Sequence, residues 1–302
     1  MFKFSAEQRI LDIAGVKVGG QPGEYPTVLI GSIFYSGHRI VSDPEKGVFD
    51  RSRARDLLDQ EAALSLETGN PRIVDVVGDT AEALGHYVEF VAEHIDGPFF
   101  VDSATAKARM GAIKLVAEMG LLDRTIYNSI DEHTTEEELA VLEECGVKYA
   151  MILAFSTRHL HPSSRMKLLL GEQGLLAKAS RAGIEQVLID TGVLDVPNIG
   201  WAAQIAHDVK EATGHPVGCA PANAFHSWER MRKKGTPSFE AAGSAMCTLP
   251  QVMGADFVHY GPMAYARWVY PACSTADAMI AYNARTHQLR PQVQTHPLYR
   301  IF

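Results

Sequence analysis

Asp102, Asn128, Asp190 and Asn223 each follow a short apolar run: Pro98-Phe-Phe-Val-Asp102, Thr125-Ile-Tyr-Asn128, Glu185-Gln-Val-Leu-Ile-Asp190 and Pro216-Val-Gly-Cys-Ala-Pro-Ala-Asn223. Each carboxylate can accept two N–H donors, and each carboxamide can both donate and accept. Around one apolar opening, that set suits a flat, neutral heterocycle rich in N–H groups. It suits a sugar phosphate poorly, because no Arg or Lys stands at these four positions to hold the anion. Taken singly, an Asp or Asn ahead of a turn more often caps the next helix or closes an Asx-turn. Capping gives no reason for a matched series, and the series is what favours a binding site.

The runs are continuous rather than alternating, so they read as strands buried on both faces. Eight strands are expected, at 27–34, 72–77, 99–102, 125–128, 149–155, 185–190, 216–220 and 257–261. Helical patterns follow them at 51–67, 80–94, 104–119, 134–145, 164–182, 197–213, 239–253 and 271–285. Thr80 and Thr134 are placed as N-caps, and Gly69, Gly120, Gly146, Gly183, Gly214 and Gly254 as stops. Strands alternating with helices imply a parallel sheet, and eight such units imply closure into a single (β/α)8 TIM barrel. In that architecture the site lies at the carboxyl ends of the strands. Asp102 then ends strand three, Asn128 strand four, Asp190 strand six and Asn223 strand seven, on one rim. A doubly wound open sheet is the competing arrangement, but no Gly-x-Gly-x-x-Gly follows the first strand. Residues 1–302 are read as one domain with a short N-terminal extension, in which 2–18 fit a hairpin or a helix edge. The polar segment 35–47 is longer than a simple connection needs and is marked for function.

Lys plus Arg number 28 against 36 Asp plus Glu, a formal charge of −8, which disfavours nucleic acid and anionic membranes as partners. No run approaches the roughly 20 apolar residues of a membrane span, and the N-terminus lacks a secretory signal core. The four cysteines are scattered without a Cys-x-x-Cys, as suits reduced thiols in a cytoplasm. Cys219 is expected to pack as a small apolar residue, and Cys273, placed near a helix start, is the one with a route to a lowered pKa. His159, His161, His207, His215, His226 and His259, with the four thiols, raise the question of zinc, but ligand spacing is missing and no bound metal is expected. Trp228, Tyr260 and Trp268 are near enough to the expected rim to stack on a ring.

Three further strings carry a resemblance. Gly19-Gly-Gln-Pro-Gly-Glu-Tyr-Pro-Thr-Val-Leu29, Ile33-Phe-Tyr-x-Gly-His38 and Gly47-Val-Phe-Asp50, extended by Val101-Asp-Ser103, Tyr127-Asn-Ser-Ile130 and Ile189-Asp190, cover essentially the whole chain. The chain resembles the H subunit of tetrahydromethanopterin S-methyltransferase and its bacterial relatives. More distantly it is similar to the pterin-binding barrels, which include methyltetrahydrofolate:corrinoid methyltransferases and dihydropteroate synthases. The resemblance implies methyl transfer from a methylcobamide, carried on a partner corrinoid protein, to N5 of tetrahydrofolate. It implies that Asp102, Asn128 and Asp190 hold the pyrimidine edge of the pterin, that Asn223 lies by N5, and that the chain is a cytoplasmic homodimer. The alternatives are a tetrahydromethanopterin-dependent subunit of a membrane-associated complex, and a barrel kept as a non-catalytic subunit. The segment 35–47 is the expected docking surface for the corrinoid protein.

Overall fold

A computed structural model describes residues 2–302. Its strands in chain order are β1 (Ile10–Ile13), β2 (Val16–Gly19), β3 (Val28–Ile33), β4 (Val41–Asp43), β5 (Val48–Phe49) and β6 (Arg72–Val77). They continue as β7 (Phe99–Asp102), β8 (Thr125–Ile130), β9 (Tyr149–Leu153), β10 (Gln186–Asp190), β11 (Val217–Cys219) and β12 (Phe257–Pro262). Eight of these close a parallel barrel in the order β3, β6, β7, β8, β9, β10, β11, β12 and back to β3. The fold is therefore a single (β/α)8 barrel, with every expected strand present.

Side chains alternate across a strand, so the barrel has an inner and an outer set from the same apolar runs. Val28, Ile30, Ile73, Phe100, Ile126, Met151, Leu188 and Phe257 form one buried cluster in the interior. Their neighbours Leu29, Val74, Val76, Val101, Ile152, Ile189 and Val258 belong to the clusters under the helices. The N-terminal extension is a β1–β2 hairpin, and its Leu11, Ile13 and Val18 join the interior cluster. Since Val28 and Phe257 begin their strands, the hairpin plugs the amino end of the barrel and leaves the carboxyl end as the mouth.

Five expectations on the elements need correction. The expected helix 164–182 is two helices, Pro162–Leu170 and Leu175–Arg181. They part at Gly171 and Gly174, where a Cβ would meet backbone oxygens at 2.9 and 2.6 Å. The last long helix starts at Ala266, not at Pro271, which lies inside it. The cap at 134–145 is Thr135, whose hydroxyl accepts from Glu138 N, while Thr134 caps the turn at Asp131. The segment 35–47 holds the strand β4, paired with β5. The strand before Asn223 stops at Cys219, with consequences for the site.

Below the barrel, Asp277 ties three elements together. It accepts from Thr27 N at 2.9 Å, Thr27 Oγ1 at 2.7 Å, Asn70 Nδ2 at 2.6 Å and Gln251 Nε2 at 3.2 Å. Buried charge is tolerated only with such partners. Even so, burial outweighs the hydrogen bonds and pushes the Asp277 carboxyl up to about 6.

Candidate active site

The interior cluster is the floor of the mouth, and the next inward position along each strand is where its apolar character ends. Two residues above Ile30 is Ser32, above Ile73 Asp75, and above Phe100 Asp102. Above Ile126 is Asn128, above Leu188 Asp190, and above Phe257 His259. A period of two puts all six on the inner face, since residues i and i+2 of a strand point the same way. The register aligns them: Ser32 pairs with Asp75, and Asp102 with Asn128. Asp102, Asn128 and Asp190 are thereby brought together as the sequence spacing requires.

Asn223 is not a strand-end residue. Between Cys219 and Asn223 the chain turns at Pro221, and Asn223 is the exposed second residue of the helix Ala222–Ser227. It still borders the mouth, in a cleft of about 300 Å³ that it shares with Ser32, Tyr35, Gly261 and Pro262. Tyr35 comes from the long segment after β3, so that segment reaches the cleft wall.

Sequence reasoning missed Ser32 and Asp75 and met His259 only among the histidines weighed for zinc, not as a residue of the mouth. Asp75 Oδ2 accepts from Ser32 Oγ at 2.7 Å and lies 3.0 Å from His259 Nε2, and Ser32 Oγ lies 3.0 Å from the same nitrogen. The His259 ring runs nearly parallel to Phe100, 12° apart with centroids at 6.4 Å. A signal existed, because Asp75 interrupts Ile-Val-Asp-Val-Val and His259 interrupts Phe-Val-His-Tyr. Both lie inside their strands rather than at the ends, so a search confined to strand ends passes over them.

The electrostatics follow from crowding three carboxylates into one apolar barrel. Burial, then the neighbouring charge of Asp75, holds the Asp102 carboxyl well above the usual range, against the pull of His259 and Arg109. Burial also raises Asp190, although its Oδ1 accepts from Gly192 N at 2.7 Å and His259 and Arg165 oppose the shift. Burial alone would lower His259, but the charge and hydrogen bond of Asp75, with Asp102 and Asp190 beyond, leave it raised. Gly192 has φ +70°, and a Cβ there would sit 2.2 Å from Phe155, so the turn that supplies this N–H demands glycine.

Asp102 makes a stability prediction. Its folded-state pKa is raised, so the native state holds the proton longer than the unfolded chain does. Its contribution is greatest below the unfolded value of 3.8 and is lost as pH rises through the folded value. Asp102→Asn does not titrate, so it is expected to raise Tm by about 3–6 °C at pH 8 and by less at pH 5. Scanning calorimetry of both proteins at the two pH values checks this, and an equal shift at both contradicts it.

Other expected candidates resolve as structure. Cys219 is fully buried, as expected. Cys273 is also fully buried, inside the helix Ala266–Ala284, and burial pushes its thiol up rather than down. Tyr260 is buried with its hydroxyl donating to Glu61, and Trp268 packs on Gly243, so neither faces the mouth. Trp228 packs against the cluster of Phe225 and Trp268. His161 caps its helix by accepting from Ser163 N. No group of three or more His, Cys, Asp or Glu among the described residues could hold a metal ion.

Comparison with known proteins identifies the family and the fold. The model of the tetrahydromethanopterin S-methyltransferase MtrH subunit family matches residues 6–292. A protein named as the H subunit of tetrahydromethanopterin S-methyltransferase, from Methanothermobacter thermautotrophicus, is 39% identical over 100% of both chains. A protein of the same name from Methanocaldococcus jannaschii is also 39% identical over 100% of both. Among solved structures, dihydropteroate synthase from Xanthomonas albilineans with 4-aminobenzoic acid overlays with a TM-score of 0.61. It does so at 16% identity over 89% of this chain and 98% of that one, a likeness of fold. With a family match over nearly its whole length, the chain belongs to the tetrahydromethanopterin S-methyltransferase MtrH subunit family.

Proposed function

We propose that this methyltransferase subunit moves a methyl group from a methylated corrinoid, carried by a partner protein, to N5 of tetrahydrofolate. The observation that carries the reading is the inner-face convergence of Asp102, Asn128 and Asp190 above one apolar floor. A pterin's pyrimidine edge is a row of N–H donors beside ring acceptors. Asp190 would take the paired N–H donors, with Asn128 and Asp102 completing the edge. The methylated corrinoid supplies an electrophilic methyl carbon. The cleft of about 300 Å³ beside the mouth, lined by Ser32, Tyr35, Asn223 and Pro262, is too small for a corrinoid macrocycle, which would meet the mouth from a partner docked over it. The segment around Tyr35, with β4 and β5, is positioned to form part of that docking surface.

What the chain itself contributes is orientation. Holding N5 in line with the methyl carbon accounts for most of the acceleration. Asn223, exposed in the cleft wall, hydrogen-bonds N5 as its charge changes. Asn223→Ala is expected to slow single-turnover methyl transfer about tenfold to a hundredfold while changing the pterin dissociation constant little. Equal losses in binding and rate would remove Asn223 from this role.

Tetrahydromethanopterin is the second reading, favoured by the names of the archaeal relatives. Titration with each pterin decides between them, and a chain that binds neither is the non-catalytic subunit. Mixing the protein with a methylated corrinoid and tetrahydrofolate, while following the cobalt spectrum, tests the transfer. A cytoplasmic homodimer belongs to the same proposal. No helix among the described residues is long and apolar enough to cross a membrane. Met279, Tyr282, Tyr299 and Phe302 expose an apolar face of the kind a second copy covers.

A further inference from the structure

The two acids and the amide read as holding the pyrimidine edge do not surround the mouth; they occupy one arc of it. In barrel order Asp102, Asn128 and Asp190 stand on β7, β8 and β10, while Ser32 and Pro262 stand on β3 and β12, with Asn223 following β11. In a closed eight-strand ring, β7 faces β11 and β8 faces β12. A bicyclic heterocycle gripped by its pyrimidine edge on the first arc must present its second ring, the one that carries the reacting amine, to the second arc. There Ser32 is the side chain that both lines the cleft and touches the buried Asp75–His259 pair.

Amine alkylation has a fixed proton account. A tertiary amine gives up its methyl group readily only when its nitrogen carries a proton, and a secondary amine that accepts a methyl group ends with one proton too many. We propose that His259 stores this proton and that Ser32 passes it between His259 and N5 of the substrate, with Asp75 holding the imidazolium in place. In the demethylating direction the Nε2–H bond of His259 breaks as Ser32 Oγ takes that proton. The hydroxyl turns its own O–H from Asp75 Oδ2 towards N5, that O–H bond breaks as the N5–H bond forms, and the positive charge moves from imidazolium to amine. The N5–methyl bond then breaks with its electron pair left on nitrogen, and the methyl group goes to a reduced corrinoid on the partner protein. In the methylating direction the same proton returns by the same route.

The geometry fits the task. Ser32 Oγ lies 3.0 Å from His259 Nε2, and Asp75 Oδ2 is 3.0 Å from the same nitrogen. Asp75 Oδ1 is buried with no hydrogen-bond partner, so this carboxylate keeps an acceptor free to respond as charge moves. The charged and titratable groups around His259 are Asp75 on β6, Asp102 on β7 and Asp190 on β10. Their combined effect keeps its proton to higher pH than an ordinary imidazole. Arg109 acts on Asp102 and Arg165 on Asp190, and Tyr35 and His226 line the cleft. His259 acts through Ser32 and is a positioning and proton-storing residue, whereas Ser32 meets the substrate.

This inference rests on the reading of the mouth as a pterin site. The test follows single-turnover methyl transfer from the 5-methyl tetrahydropterin that binds to a free reduced corrinoid, from pH 5.5 to 8.5, beside the dissociation constant of that pterin. For Ser32→Ala the rate at pH 7.5 is expected to fall about 30-fold, below the ~10²-fold or more of a direct general acid, and to recover towards pH 5.5. The dissociation constant should stay within about twofold and Ser32→Thr should restore the profile. His259→Asn should lose rate in the same way and show the bare acid dependence of N5. Ser32→Ala and His259→Asn proteins that keep the wild-type rate and pH profile overturn the relay while leaving the pterin site standing. A wild-type chain that binds no reduced pterin overturns the site reading and the relay together.

Discussion

Asp190→Ala is expected to weaken binding of the reduced pterin by about 100-fold or more, the largest effect at the mouth. Two charge-assisted hydrogen bonds to the pyrimidine edge, at about 1.5–3 kcal/mol each, set that scale. Asp190 is 8% exposed, so solvent cannot replace its carboxylate when that is removed. Asp190→Asn should recover only part of the loss, because a carboxamide presents one acceptor where the carboxylate presents two. Calorimetric titration of both variants reads the effect, and an affinity within threefold of wild type for Asp190→Ala rejects the assignment. Asp190→Ala also takes the acceptor from the Gly192 N–H, so Tm of the variant is read beside its affinity, and Asp190→Asn, which keeps an acceptor for that N–H, serves as the folded control.

Arg165→Ala is expected to cost about 3–5 kcal/mol of stability and to lower Tm by about 10 °C. Arg165 is wholly buried and carries no close carboxylate partner; its guanidinium is spent on the loop after β10. It donates to Thr191 O at 2.6 Å, Gly192 O at 2.8 Å, Asn198 Oδ1 at 3.2 Å and His159 O at 3.2 Å, and lies 4.7 Å over the Phe155 ring. Removing it takes the donor from the buried Thr191 O and Gly192 O, loosens the ties to Asn198 Oδ1 and His159 O, and opens a cavity at once. The same loop supplies the Gly192 N–H that orients Asp190, so pterin affinity should fall alongside stability. Arg165→Lys, which reaches with one ammonium where the guanidinium forks, should recover less than half. Thermal unfolding followed by circular dichroism decides the matter, and a Tm within 3 °C of wild type for Arg165→Ala contradicts it.

These two residues divide the molecule into what was legible from the chain and what was not. Asp190 stands where a continuous apolar run stops, and Asp102 and Asn128 stand in the same relation to theirs. Local composition therefore determined the strands, their number and the barrel. It also put three polar groups on one rim, because strand periodicity and barrel closure leave them no other place. Asn223 was found by the same pattern but for a different structural reason: Pro221 ends the strand early, and a helix turn carries the amide back to the cleft. Arg165 and Ser32 had no such mark, and Asp75 and His259 were marked only as polar breaks inside apolar strands rather than at their ends. A buried arginine in a helix, or a histidine within a strand, looks like any surface or core residue until its partners arrive, and most of those lie 26 to 227 residues away. The chain by itself determined the mouth and the polar rim of Asp102, Asn128 and Asp190, since these depend on hydrophobic spacing. Only the tertiary structure decided the Ser32–Asp75–His259 cluster and the buttress behind Asp190, because both consist of contacts between strands and helices far apart in sequence.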